Sequence, residues 1–178
     1  MNYFIQFLTY FRILIAPIIF LLITLYDLYG LALFLFFLAS ISDYWDGFLA
    51  RKYNLESIIG ATLDPIADKI LVTFLILALS LELSSIYIAM IGGIILVREY
   101  WVGALRELNA KNRNDSATNV TYLAKIKTSL QFLTFASFLS GLYLENSLII
   151  FLSNFLLFLA LIVTIQTGLS YTIATFKR

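Results

Sequence analysis

The sequence predicts an all-α integral membrane protein with six transmembrane helices and both termini in the cytoplasm. Three observations predict it. Of 178 residues, 61% are hydrophobic and only 13% charged, against about 25% charged in an ordinary soluble domain. Apolar runs follow one another with short polar breaks between them, and each is close to the roughly 20 residues that cross a bilayer as a helix. The basic residues collect on alternate breaks, the asymmetry that keeps those ends in the cytoplasm.

The first run, 4–26, contains Arg12 and Pro17 and ends at Asp27. It lacks the charged leader and small-residue cleavage site of a signal peptide, so Met1 to Tyr26 reads as a retained span. The second, 30–52, ends in Arg51 and Lys52. The third, 57–81, carries Pro65 and stops before Glu82; the fourth, 85–110, runs out toward Lys111 and Arg113. The fifth, 120–144, holds Lys125 and Lys127 and stops at Glu145; the sixth, 148–174, precedes Lys177 and Arg178. Pro17 and Pro65 are expected to kink their helices. Spanning β-strands would show ten-residue alternation, which is missing. No internal repeat or low-complexity segment divides the chain, so residues 1–178 read as a single transmembrane domain.

Orientation follows from charge. Arg51, Lys52, Lys111, Arg113, Lys177 and Arg178 lie at one set of ends, with Arg12, Arg106, Lys125 and Lys127 in helix turns on that side. The opposite loops hold only Asp27, Glu82 and Glu145. Cysteine and histidine are both absent. Disulfides, thiolate metal sites and a cysteine nucleophile are thereby excluded, and any general base must be a carboxylate, Lys or Tyr. A net charge of +1 without a long basic run gives no reason to expect a nucleic-acid partner.

Asp43, Asp46, Asp64 and Asp68 fall within 26 residues of this apolar chain. An ionised carboxylate at membrane depth costs a few kcal/mol on insertion scales. The bases nearby in sequence, Arg51, Lys52 and Lys69, are too few to neutralise four of them. Oxygen-only ligands of this kind suit a hard divalent cation, Mg²⁺ or Mn²⁺, and disfavour zinc or copper. At helical periodicity Asp43, Asp46, Gly47, Ala50 and Arg51 share an arc of about 140°, while Gly60, Asp64 and Asp68 form a narrower stripe on the next helix. The short connection between the two helices is expected to make them antiparallel neighbours, so that the acidic stripes converge. Small residues on the same arc admit a bulky ligand, or a second helix, close to the backbone.

The run Asp43-x2-Asp46-Gly47-x2-Ala50-Arg51-x8-Gly60-x3-Asp64-x3-Asp68 resembles the signature of the CDP-alcohol phosphotransferase family at every fixed position. Within it, the chain is most similar to the bacterial branch that uses CDP-diacylglycerol and glycerol 3-phosphate. Leu8-Thr9-x2-Arg12, Leu63-Asp64-Pro65-Ile66-Ala67-Asp68-Lys69, Arg98-Glu99, Ala104-Leu105-Arg106-Glu107 and Ala124-Lys125-Ile126-Lys127-Thr128 carry that closer likeness. The resemblance implies that Asp43, Asp46, Asp64 and Asp68 hold two divalent cations at the pyrophosphate of the lipid donor. Charge counting agrees: four carboxylates and a pyrophosphate bring about six negative charges, which two such ions reduce to about two. It further implies that Asp46, Gly47, Ala50, Arg51 and Gly60 border the cytidine and phosphates, and that Asp68 is the general base. A homodimer in the bacterial inner membrane, with its active site facing the cytoplasm, is also implied.

The acceptor alcohol varies across the family, and an anionic acceptor needs fixed cations. Arg12, Arg98, Arg106, Lys125 and Lys127 are the candidates. Arg98 and Arg106 are about 80° apart around their helix and share a face; Lys125 and Lys127 are about 200° apart, so one at most faces a given pocket. Snorkelling to headgroups accounts for Lys111 and Lys127 equally well. The cluster favours a phosphorylated acceptor, with inositol phosphate or serine as alternatives to glycerol 3-phosphate. Glu99 and Glu107 are placed to orient or pair with the arginines. Most aromatic residues suit an interfacial belt. A divalent-cation transporter would use the same carboxylates, but such proteins are often built from repeats with sites at the midplane, and these carboxylates lie toward one face.

Overall fold

The computed structural model describes residues 2–53, 58–111 and 122–176; within these ranges the side chains of 2–6, 44, 46–51, 53, 58–62, 122, 124 and 125 lie outside the description. Six helices and no strand are present among the described residues: α1 (Asn2–Thr24), α2 (Tyr29–Tyr53), α3 (Ile58–Glu82), α4 (Ile86–Lys111), α5 (Tyr122–Tyr143) and α6 (Ser147–Phe176). Their bounds match the apolar runs to within a few residues. Three stretches, Phe7–Thr24 of α1 together with α4 and α6, are long and apolar enough to cross a bilayer by length and composition alone. In α2 the described apolar stretch is Tyr29–Asp43. The architecture is that of an all-α membrane protein.

Two of the three loops on the acidic side are closed by Schellman caps. Ser85 N–H donates to the Ser80 carbonyl at 3.0 Å and Asn146 N–H to the Gly141 carbonyl at 2.9 Å. The residues that turn the chain there, Ser84 and Glu145, have φ of 45° and 49°, and Asp27 in the first loop has 52°. All three adopt a left-handed conformation without being glycine, at a steric cost to an L-residue.

Close helix contacts run from α1 to α2, α5, α6, α4, α3 and back to α1. One apolar core occupies the ring. Ile15, Ile19 and Ile23 of α1, at spacing four, meet Leu71, Leu75 and Leu79 of α3 at the same spacing, and all six are buried. Phe36 of α2 stacks on Phe132 of α5 with centroids 5.0 Å apart. Large apolar side chains on the outer faces, among them Leu14, Val97, Phe151 and Ile173, are more than half exposed, as a lipid-facing surface requires.

Among the described residues the acidic stripes of α2 and α3 are joined through α1. These two helices are not among the closely packed pairs of the described residues; α1 packs against both and links them. The physical reason is that a short loop constrains only the ends it joins, whereas side-chain fit along the helices decides which neighbour each one takes.

Candidate active site

Thr9 and Arg12 lie three positions apart on α1 and so share a face. Arg12 is fully buried. Its Nη1 donates to Asp43 Oδ1 of α2 and, at 2.6 Å, to Asp68 Oδ1 of α3. Its Nη2 reaches Asp64 Oδ1 at 3.3 Å, and the Thr9 hydroxyl donates to that same oxygen at 2.8 Å. One guanidinium thus gathers three carboxylates. Because Asp43 and Asp68 share a single nitrogen, their oxygens are no more than two hydrogen-bond lengths apart.

The arrangement is lopsided. Arg12 forms the buried floor, while the side chains of Asp43, Asp64 and Asp68 remain 47%, 35% and 54% exposed. The carboxylates are therefore partly accessible from the side opposite the guanidinium. The donor chemistry, oxygen only and strongly anionic, fits a hard divalent ion. Among the described residues no three acidic side chains stand as a preformed cation cage, and it is Arg12 that stands among them.

The sequence places Arg12 among the cations that hold the acceptor's phosphate; in the structure its guanidinium lies against the aspartates. The bases near the motif, Arg51, Lys52 and Lys69, are too few for four carboxylates, and a further cation in contact comes from 31, 52 and 56 positions away along the chain. Counting charges near the motif overlooks a partner delivered by another helix. Lys69 turns the other way: its ammonium sits 5.1 Å from the Tyr100 ring centroid on α4. A Cβ on Gly103 would come within 2.8 Å of that ammonium, so the lysine tip rests against the glycine. Thr9 carries a contact within the site, although along the chain it stands out only as part of a motif.

Asp46, Gly47, Ala50 and Arg51 lie on the C-terminal part of α2, Gly60 in the first turn of α3 and Lys125 in that of α5. Their side chains lie outside the described residues. Beside Asp43, an open apolar groove of about 530 Å³ runs between α1 and α2, lined by Phe7, Leu8 and Phe11 on one side and Leu38, Ile41 and Trp45 on the other.

A second polar cluster joins α4, α5 and α6. Arg98, with a side chain only 10% exposed, donates through Nη2 to the Thr167 hydroxyl at 2.6 Å and through Nη1 to Glu99 at 3.1 Å. Lys127 of α5 donates to the same Glu99 oxygen at 2.5 Å. Arg106 donates to the Tyr171 hydroxyl at 3.1 Å and lies over its ring. Arg98, Arg106 and Lys127 are within Coulombic range of one another. A Cβ on Gly168 would stand 3.0 Å from both Cγ and Nε of Arg98, so the glycine gives the arginine stem its seat on α6. Thr167 and Tyr171 have no sequence signal; hydroxyl residues in a membrane helix commonly bond their own backbone, as Thr167 also does to Val163.

The family model described as CDP-alcohol phosphatidyltransferase matches residues 5–166. A protein of Rickettsia typhi is 38% identical over 171 residues, covering 93% of each chain. One of Wigglesworthia glossinidia brevipalpis is 34% identical over 92% of this chain and 90% of its own. One of Blochmanniella floridana is 36% identical over 77% and 73%. All three bear the name CDP-diacylglycerol–glycerol-3-phosphate 3-phosphatidyltransferase. Enzymes of the family generally use divalent metal ions. With Asp43, Asp64 and Asp68 of the motif drawn to one point and the family's model running along nearly the whole chain, this protein belongs to the CDP-alcohol phosphatidyltransferase family.

Proposed function

We propose that the chain transfers a phosphatidyl group from CDP-diacylglycerol to sn-glycerol 3-phosphate, giving phosphatidylglycerol phosphate and CMP. The observation that carries this reading is the convergence of Asp43, Asp64 and Asp68, from two helices, on one point beside an apolar groove. The names of the relatives, similar over most of their length, support this pair of substrates.

Two divalent cations, Mg²⁺ or Mn²⁺, held by Asp43, Asp46, Asp64 and Asp68, would neutralise the pyrophosphate and stabilise the attacking and leaving oxygens. Asp68, the most exposed of the three described carboxylates, takes the proton of the attacking hydroxyl, a role left to a carboxylate in a chain without histidine. The hydroxyl oxygen bonds to the lipid-bearing β-phosphorus as the bond to the CMP oxygen breaks, in line and without a covalent enzyme intermediate. CMP departs with that electron pair. Asp46, Gly47, Ala50, Arg51 and Gly60 border the cytidine and its phosphates, Arg51 as a phosphate fork. The α1–α2 groove takes acyl chain. Arg98, Arg106 and Lys127 bind the acceptor's phosphate, with Arg12 and Lys125 as the further candidate cations.

The asymmetric charge distribution supports cytoplasmic termini and a site facing the cytoplasm. The extent of the family match supports one domain over 1–178. The protein acts as a homodimer in the bacterial inner membrane. The test is purified protein in vesicles containing CDP-diacylglycerol and Mg²⁺, offered glycerol 3-phosphate, serine or inositol phosphate separately. CMP release with glycerol 3-phosphate alone is expected. Equal release with serine or inositol phosphate overturns the acceptor, and ion flux without CMP release overturns the enzyme.

A further inference from the structure

We propose that Glu99 is a positioning residue that builds the acceptor-phosphate pocket by drawing Arg98 and Lys127 onto a single carboxylate oxygen; this rests on the reading of that cluster as the acceptor site. Among the described residues α4 and α5 each pack closely on α6 but are not a closely packed pair themselves. The Glu99 oxygen, 3.1 Å from Arg98 Nη1 and 2.5 Å from Lys127 Nζ, spans that gap. All three side chains are at least about four-fifths buried, with exposures of 10%, 21% and 12% for Arg98, Glu99 and Lys127. Two long, strongly hydrated cations would otherwise repel each other and reach for water. A shared carboxylate holds them side by side and limits their rotamers before substrate arrives.

The charge count gives the pocket its ligand class. Arg98, Arg106 and Lys127 bring three positive charges, and Glu99 cancels one. Two remain, the complement of a phosphate monoester that carries about −1.5 to −2 near neutral pH. Arg98 Nε is buried and has no hydrogen-bond partner among the described residues. It faces the Gly168 notch, so the stem of Arg98 is seated against α6. An uncharged acceptor such as a free polyol gains nothing from this arrangement, so Glu99 acts on acceptor selectivity rather than on the lipid donor.

The experiment compares wild type, Glu99→Gln, Glu99→Asp and Arg98→Ala as full-length protein in nanodiscs. KM for glycerol 3-phosphate, KM for CDP-diacylglycerol, kcat and competitive inhibition by inorganic phosphate are measured. Glu99→Gln is expected to raise the acceptor KM and the phosphate inhibition constant together, by about tenfold or more, since a charge-assisted contact is lost. The donor KM stays within about twofold, and Glu99→Asp recovers part of the loss. If Arg98→Ala raises the acceptor KM while Glu99→Gln leaves it unchanged, the positioning role is overturned and the pocket stands. If Arg98→Ala leaves it unchanged, the pocket reading falls with it. Loss of kcat in Glu99→Gln and Glu99→Asp with both KM values intact overturns the positioning role as well. Should Glu99→Gln not fold, the role is equally overturned by a Glu99→Asp protein in which neither acceptor constant shifts.

Discussion

Replacing Arg12 by Met keeps an unbranched apolar stem and removes the charge that gathers Asp43, Asp64 and Asp68. The magnitude follows from the contacts. A hydrogen bond to a charged group contributes about 1.5–3 kcal/mol, and Arg12 bonds Asp43, Asp64 and Asp68 among the described residues. Solvent screens each acid, since their exposures run from 35% to 54%, so each contact falls to the lower end of that range or below. Arg12 itself is fully buried, and its removal leaves three like charges converging on an apolar floor. A net destabilisation of about 2–4 kcal/mol is expected, or roughly 5–15 °C in melting midpoint for a chain of this size. The assay is thermal unfolding in detergent, with chelator and then with Mg²⁺. Arg12→Met should melt lower in chelator and regain more of its midpoint on adding Mg²⁺ than wild type does, because the cation no longer competes with a guanidinium. A midpoint unchanged in chelator, or a loss that Mg²⁺ does not reduce at all, refutes the reasoning. A double-mutant cycle with Asp64→Asn adds a check, as additive effects would mean the two groups do not interact.

Asp68→Asn should lower CMP release by about 10²–10⁴-fold, the usual contribution of a positioned proton acceptor; activity within a few fold of wild type removes Asp68 from that role. Gly168→Ala pushes a methyl group against the Arg98 stem, 3.0 Å from Cγ and Nε. The acceptor KM should rise about three- to tenfold with the donor KM unchanged, and parallel shifts in both would separate Gly168 from the acceptor pocket. Glu145→Gly relieves a left-handed residue at φ 49° and should stabilise the protein by about 0.5–1 kcal/mol in thermal unfolding, since glycine carries no steric cost there. A lower midpoint would show that Glu145 makes a contact outweighing its strain.

Much of this protein is legible residue by residue along the chain. Hydrophobic partition and helical periodicity are short-range rules, so the apolar runs mark out α1 to α6. The spacings of three and four put Asp43 with Asp46, and Asp64 with Asp68, on shared faces. The absence of Cys and His narrows the chemistry, and the eight spaced motif residues carry the family. Helix adjacency is another matter. Lipid is as apolar as the helix faces, so hydropathy does not say which helices touch; close packing does. That packing puts α1 between α2 and α3, sends Arg12 to the aspartates and Lys69 to Tyr100, and brings Glu99, Lys127 and Thr167 together around Arg98. Each of these is a contact between side chains on different helices, and long-range proximity of that kind leaves no periodic trace in the chain that folds into it.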